Sequence, residues 1–231
     1  MPKFSSFNAF GSESYKIGQS HVPVWLGVVG PVPVGGTLDK AYAKPGFLLG
    51  AGAPVELADK VIKPFIGYEV VAYAAGDSND SIIIKAADMG GAVVPAAGDM
   101  IQKLGDSFDA KGKAAEVISC EEVLEGENKG CYEVKVAHSA SIDAVAEGDV
   151  ITMSAATAAG SSKSIAVKPN GYLYNDIYMG ALEGDADAYT IAATGAVVKY
   201  HADGLLVELT PSAAVKEQMA AAVPGVYQVL V

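Results

Sequence analysis

A self-similarity at a spacing of 50 residues in the middle of the chain limits its fold more than any other feature. Shifted by 50 positions, Ile82 falls on Tyr132, Ile84 on Val134, Lys85 on Lys135, Ala87 on Ala137, Gly98 on Gly148, Asp99 on Asp149 and Ile101 on Ile151, with no gap from Ile82 to Lys103. Upstream, Tyr68-Glu69-Val70-Val71-Ala72 aligns with Ala115-Glu116-Val117-Ile118-Ser119 once a slightly longer turn is allowed. Each unit reads strand, polar turn, strand, loop, then an x-Gly-Asp-x-Ile turn opening another strand. The polar turns are Gly76-Asp77-Ser78-Asn79-Asp80 and Gly126-Glu127-Asn128-Lys129-Gly130. Alternation is cleanest in Tyr132-Glu133-Val134-Lys135-Val136, which places Tyr132, Val134 and Val136 on one face. Two copies are too few for a solenoid. The repeat predicts duplicated β-hairpin units, about 66–103 and 113–153, forming a small barrel or paired β-subdomains.

The flanks complete a mainly β expectation. Residues 1–40 read as an extended N-terminal arm: Phe4, Phe7 and Phe10 are spaced by three among small polar residues, and Pro23, Pro31 and Pro33 break any helix and remove ladder donors. A segment exposing Phe, Val24, Trp25 and Leu26 is costly to leave in water, at roughly 25 cal/mol per Å². It folds onto its own body or lies on a partner, and Phe4, Phe7, Phe10, Val24, Trp25 and Leu26 are the candidate partner-binding residues. Residues 41–153 read as the β domain holding the duplication, and 154–163, all small residues except Lys163, as a linker and hinge. Residues 164–231 read as a C-terminal β domain. Its strands are expected at Ser164–Val167, Tyr172–Met179, Tyr189–Ala193, Ala196–Tyr200 and Leu205–Leu209. One short helix is expected over about 211–222, opened by Thr210-Pro211 as N-cap and N1 and closed by Pro224-Gly225. Val215, Met219 and Ala222 mark its apolar face.

Charge narrows the function classes. Sixteen basic residues, all Lys, stand against 27 acidic ones, for a net charge of −11. Without Arg there is no bidentate guanidinium recognition of phosphate or guanine, and the acidic balance opposes attraction to nucleic acid or an anionic membrane. No apolar run reaches the ~18 residues of a membrane span, and the first ten residues lack the apolar core of a secretory signal. With 51% hydrophobic residues the chain has ample material for a packed core.

No constellation carries chemistry. His21, His138 and His201 are far apart and not in ligand spacing, and Cys120 and Cys131 with one distant His do not make a zinc site. The two cysteines flank a turn; depending on hairpin register they could face each other, but free thiols are the expectation in a reducing compartment. Lys199-Tyr200-His201-Ala202-Asp203 has no nucleophile beside it. Asp77-Ser78-Asn79-Asp80 and Glu183-Gly184-Asp185-Ala186-Asp187 lack full calcium-loop spacing and read as solvated turns. Gly50-Ala51-Gly52 lacks the lysine of a phosphate loop. The expectation is a non-enzyme with no cofactor and no metal.

Three segments carry a resemblance. Lys44-Pro45-Gly46-Phe47-Leu48-Leu49-Gly50 resembles a strand entry, and Ile177-Tyr178-Met179-Gly180-Ala181-Leu182-Glu183-Gly184-Asp185-Ala186-Asp187-Ala188 a Gly-x-Leu…Asp-x-Asp-Ala segment, of the head-decoration and head-fibre proteins of tailed bacteriophages. Ala213–Ala222 followed by Val223-Pro224-Gly225-Val226-Tyr227 is similar to their closing helix and tail. The resemblance implies a virion structural protein on the capsid surface, made in the host cytoplasm, with the major capsid protein and its own copies, as a homotrimer, for partners. The duplicated units depart from the compact decoration pattern and resemble a head-fibre insertion. The alternative from the residues is a β-sandwich adhesin or carbohydrate-binding module, with Tyr132, Tyr172, Tyr174, Tyr178 and Tyr227 as stacking platforms.

Overall fold

The computed structural model describes residues 25–31, 36–39, 48–49, 53–85, 94–138, 142–173, 177–178, 188–189, 191–199, 213–224 and 226–230. Ahead of the repeat lie β1 (Trp25–Pro31), β2 (Gly36–Leu38), β3 (Leu48–Leu49), β4 (Pro54–Ala58) and β5 (Val61–Pro64). The first unit supplies β6 (Gly67–Ala74), β7 (Asn79–Ile84) and β8 (Met100–Lys103). The second supplies β9 (Gly112–Glu122), β10 (Tyr132–Ala137) and β11 (Val150–Met153). Beyond it come β12 (Ser162–Lys163), β13 (Gly171–Leu173), β14 (Ile177–Tyr178), β15 (Ala188–Tyr189), β16 (Ile191–Lys199), helix α1 (Ala213–Ala222) and β17 (Val226–Leu230). The chain is mainly β, with duplicated hairpin units and one short helix near the C-terminus.

The repeat closes on itself. The strands run β10-β7-β6-β11-β8-β9, and β9 pairs back to β10, so the two units form one barrel with no free edge among these six strands. The third strands are exchanged: β8 of the first unit pairs with β9 of the second, and β11 of the second pairs with β6 of the first. Neither unit can bury its apolar face alone, so each completes the other. Inward positions recur on the period of two: Tyr68, Val70, Ile82, Ile84, Ile101, Ala115, Val117, Val134, Val136 and Ile151 are all buried in one core.

Pairing registers show that the two units are related by a pseudo-twofold axis. Ile82 faces Val134 and Ile84 faces Tyr132, which are equivalent pairs under the 50-residue shift, so the axis passes at Ile83 and Glu133. It passes again at Gln102 and Thr152, since Ile101 faces Met153 and Lys103 faces Ile151. Even the irregularities repeat. The first strand of each hairpin is bulged at the matching place, between Val70 and Ala72 and between Val117 and Ser119, but the partner register is offset by two residues: Val70 faces Ile84, whereas Val117 faces Val136 instead of the equivalent Val134. Gly98 N donates to Val117 O at 2.8 Å, and Gly148 N to Val70 O at 2.8 Å. In both Gly-Asp turns the glycine holds a left-handed φ, +89° at Gly98 and +84° at Gly148, where a side chain would be strained. Each aspartate then caps its own turn: Asp99 accepts from Ala96 N and Asp149 from Ala146 N, both at 2.7 Å.

A second sheet lies alongside, in the order β1-β16-β13-β4-β5-β2-β15, with β17 parallel to β16. It joins strands from before and after the barrel, so the chain leaves this sheet, builds the barrel and returns. β4 and β5 turn through Asp59 and Lys60, both at positive φ, the two-residue hairpin geometry that matches strand twist. One apolar cluster ties the layers together: Tyr172 of β13 and Phe65 just past β5, Val150 of β11 with Leu104 and Phe108 past β8, Ile165 and Val167 between them, and Val215, Met219 and Val223 around the helix.

Several expectations change. Val215 and Met219 are buried as the helical spacing requires, but Ala222 is exposed and Val223 takes its place against the core. Ile191–Ala193 and Ala196–Lys199 fall in one continuous strand, β16, with Tyr189 in β15; of Tyr172–Met179, Tyr172 and Leu173 fall in β13 and Ile177 and Tyr178 in β14. Ser164–Val167 gives only a single bridge, Ile165 to Ser154. The stretch 154–163 is bonded along the barrel wall instead of forming a free hinge: Ser154 N donates to Met100 O, Gly160 N to Ala114 O, and β12 pairs with β9. Its small side chains let the backbone lie close enough for those bonds. Leu205–Leu209 lies outside the described residues.

Candidate functional site

Strand β1 carries two of the six residues expected to meet a partner. Trp25 lies opposite Val197 and Leu26 opposite Ala196, antiparallel along β16. The register slips twice before Pro31 reaches Ala192. This segment is therefore built into the chain's own sheet, and β1 is the last strand on that side, with no second strand neighbour among the described residues. Phe4, Phe7, Phe10 and Val24 lie outside the described residues. An edge strand leaves a row of backbone donors and acceptors for a strand from another chain. The proline at 31 limits how far such pairing extends.

The most organised polar cluster is one the sequence reading passed over. Asp80 belonged to an apparent solvated turn; in the structure it is fully buried. The alternation that sends Ile82 and Ile84 inward sends Asp80 inward as well, at the mouth of the barrel opposite Val136. There Oδ1 lies 2.7 Å from His138 Nδ1 and accepts from Gly76 N at 3.2 Å, while Oδ2 accepts from Tyr73 Oη at 3.0 Å. Burial by itself would push this carboxyl up, but the bonds from His138, Tyr73 and Gly76 outweigh it and hold Asp80 below the usual carboxylate range. Burial, then the bond to the Asp80 carboxylate and its charge, pushes the Tyr73 hydroxyl up. His138 N also donates to Ser78 O, so the end of β10 is fastened to the tip of the first hairpin. The signal available in the sequence was the even spacing of Asp80, Ile82 and Ile84; the partner 58 residues away was not legible.

The cysteines sit at the other mouth and do not oppose each other. Cys120 faces Val134, whereas Cys131 O accepts from Val123 N, and both thiols are free. Burial, then the Glu121 carboxylate, pushes the Cys120 thiol up, which makes it a poor nucleophile. Past Tyr132 the second hairpin continues as a ribbon, with residues 123–131 bonded to one another.

A groove of about 850 Å³ separates the barrel from α1. Two ion pairs line it, Lys103 to Asp149 at 2.7 Å and Lys168 to Asp109, and Gln218 Nε2 donates to Gly105 O across it at 2.7 Å. Among the described residues no group of three or more His, Cys, Asp or Glu converges in a way that could hold a metal ion. No helix among them is long and apolar enough to cross a membrane.

No family model matches the chain, and neither a curated protein nor a solved structure matches it.

Proposed function

We propose that this chain is a non-enzymatic structural protein of a tailed-phage virion that decorates, or forms fibres on, the capsid exterior. The observation that carries the reading is the position of β1 as an edge strand, with the Phe4, Phe7 and Phe10 segment upstream of it in the sequence. Such an edge offers strand addition and the three phenylalanines offer apolar contacts, the two modes by which a β-rich body fastens to a protein lattice. The net charge of −11 suits a protein that never meets the packaged DNA. The partners are then the major capsid protein and two further copies in a homotrimer.

The test uses shells of the encoding phage prepared without this protein. Full-length chain should saturate them, and a deletion of residues 2–20, which spares β1 and β2, should lose most of the occupancy. Undiminished binding by the deleted chain would end the anchoring account, and sedimentation showing a stable monomer would end the trimer. The adhesin alternative loses two of its stacking platforms, because Tyr172 is buried and Tyr132 packs against the barrel core.

A further inference from the structure

The two barrel hairpins grew from one pattern, so each serves as a control for the other. In the first, twelve positions separate Val70 from Ile82; in the second, fifteen separate Val117 from Tyr132. The three extra residues go into the tip of the β9–β10 hairpin. The first hairpin turns tightly and its mouth is closed by the Tyr73, Asp80 and His138 contacts. The second runs on as a ribbon that ends in Leu124, 68% exposed, the most exposed large hydrophobic residue among the described ones.

That tip is ordered. Val123 N donates to Cys131 O at 2.8 Å, Gly130 N to Val123 O at 2.9 Å and Cys131 N to Asn128 O at 3.0 Å, and Gly126 and Gly130 take the positive φ that the reversal demands. A pre-formed loop loses little freedom when it binds. Around the leucine stand Glu121, Glu122, Glu125 and Glu127 against the single Lys129, all exposed. Four like charges disfavour a second acidic copy of the chain as the occupant of this tip, whatever other surface joins the copies. They equally disfavour an anionic lipid surface or nucleic acid. What fits a rigid, acidic tip with a protruding apolar side chain is an opposite charge surrounding an apolar socket.

We propose that the 121–131 tip of the second hairpin is a docking element for a basic protein surface, with Leu124 as its anchor and the glutamates as the steering and rim charges. The proposal is independent of the capsid reading. It is tested on the full ¹⁵N-labelled chain with a synthetic ten-residue peptide that alternates Arg and Phe. Amide shift changes are expected to concentrate at 121–131. Leu124→Ser should weaken binding about tenfold, as for one leucine lost from an apolar contact, while Leu124→Met should retain it. The double change Glu125→Lys with Glu127→Lys should abolish it. Both positions are exposed, and unchanged amide spectra outside the tip check that each variant is folded. Equal affinity in Leu124→Ser, shift changes spread evenly over the acidic surface, or equal binding of a Glu–Phe peptide would each overturn the proposal. Phosphatidylglycerol vesicles should leave the tip signals unmoved; if they move them as the peptide does, the tip is a lipid contact and the proposal fails.

Discussion

The two halves of the barrel share their walls and differ at their mouths. Wall positions are interchangeable because closure imposes the same demand on both: an inward apolar residue on every second position, a bulge where the strand bends, and a left-handed glycine where the chain re-enters the barrel. The mouths have no such common demand. One is closed by a buried carboxylate held by three donors; the other carries a half-buried thiol and a lengthened ribbon. Symmetry in this fold marks what stability requires, and departures from it mark where a separate requirement acted.

The most severe test of that division falls on the walls. Ile101 and Ile151 are equivalent and both are fully buried, each on a strand exchanged between units. Ile101→Ala and Ile151→Ala should each cost roughly 2–5 kcal/mol in urea unfolding, and the two costs should agree within about 1 kcal/mol. A large inequality would mean that the halves do not share one core.

Next in size is the closed mouth. Asp80→Asn keeps the shape but removes the charge that Tyr73, Gly76 and His138 all address, and should cost roughly 2–3 kcal/mol at pH 7. The pH dependence has a definite sign. Because the folded value of Asp80 lies below its ordinary 3.8, the unfolded chain takes up the proton first. The stabilisation is therefore complete above the ordinary value and is lost as pH falls through the depressed folded one. Unfolding curves of the parent and Asp80→Asn should converge as the pH is lowered below about 3.8. A gap that persists or widens there would show that the network does not depend on the carboxylate charge.

What the sequence disclosed follows the same division. The 50-residue shift was legible because closure forces the same apolar and glycine positions on each unit, and Val215 and Met219 were legible because a helix on a core fixes its own spacing. The exchange of β8 and β11 was not, since pairing between units leaves no trace in either unit's local pattern. Asp80 was misread because a turn composition of Gly, Asp, Ser and Asn predicts solvent, whereas two further residues of strand pairing, Ala137 with Asn79 and Val136 with Asp80, carry it into the barrel. The small residues at 154–163 were misread for the converse reason: low side-chain bulk suits a free linker and a close-lying strap equally well.

The smallest expected effect comes from a wall position where symmetry is broken without need. Lys103 reaches Asp149 at 2.7 Å and Ala144 O at 3.1 Å, but its equivalent is Met153, and the matching Asp99 holds the same turn through bonds with Ala96 N and Ala96 O. The turn therefore does not require the lysine. Both partners of the pair are partly solvated, at 31% and 24% exposure, so Lys103→Met should cost less than about 1 kcal/mol, and the cost should fade in roughly 1 M salt, where the Debye length shrinks to about 3 Å. Met153→Lys should gain no more than the same amount beside Asp99. A loss from Lys103→Met well above that range, unmoved by salt, would show that the lysine stem packs as part of the wall beside the α1 groove, and that the first unit's third strand cannot be exchanged for the second's.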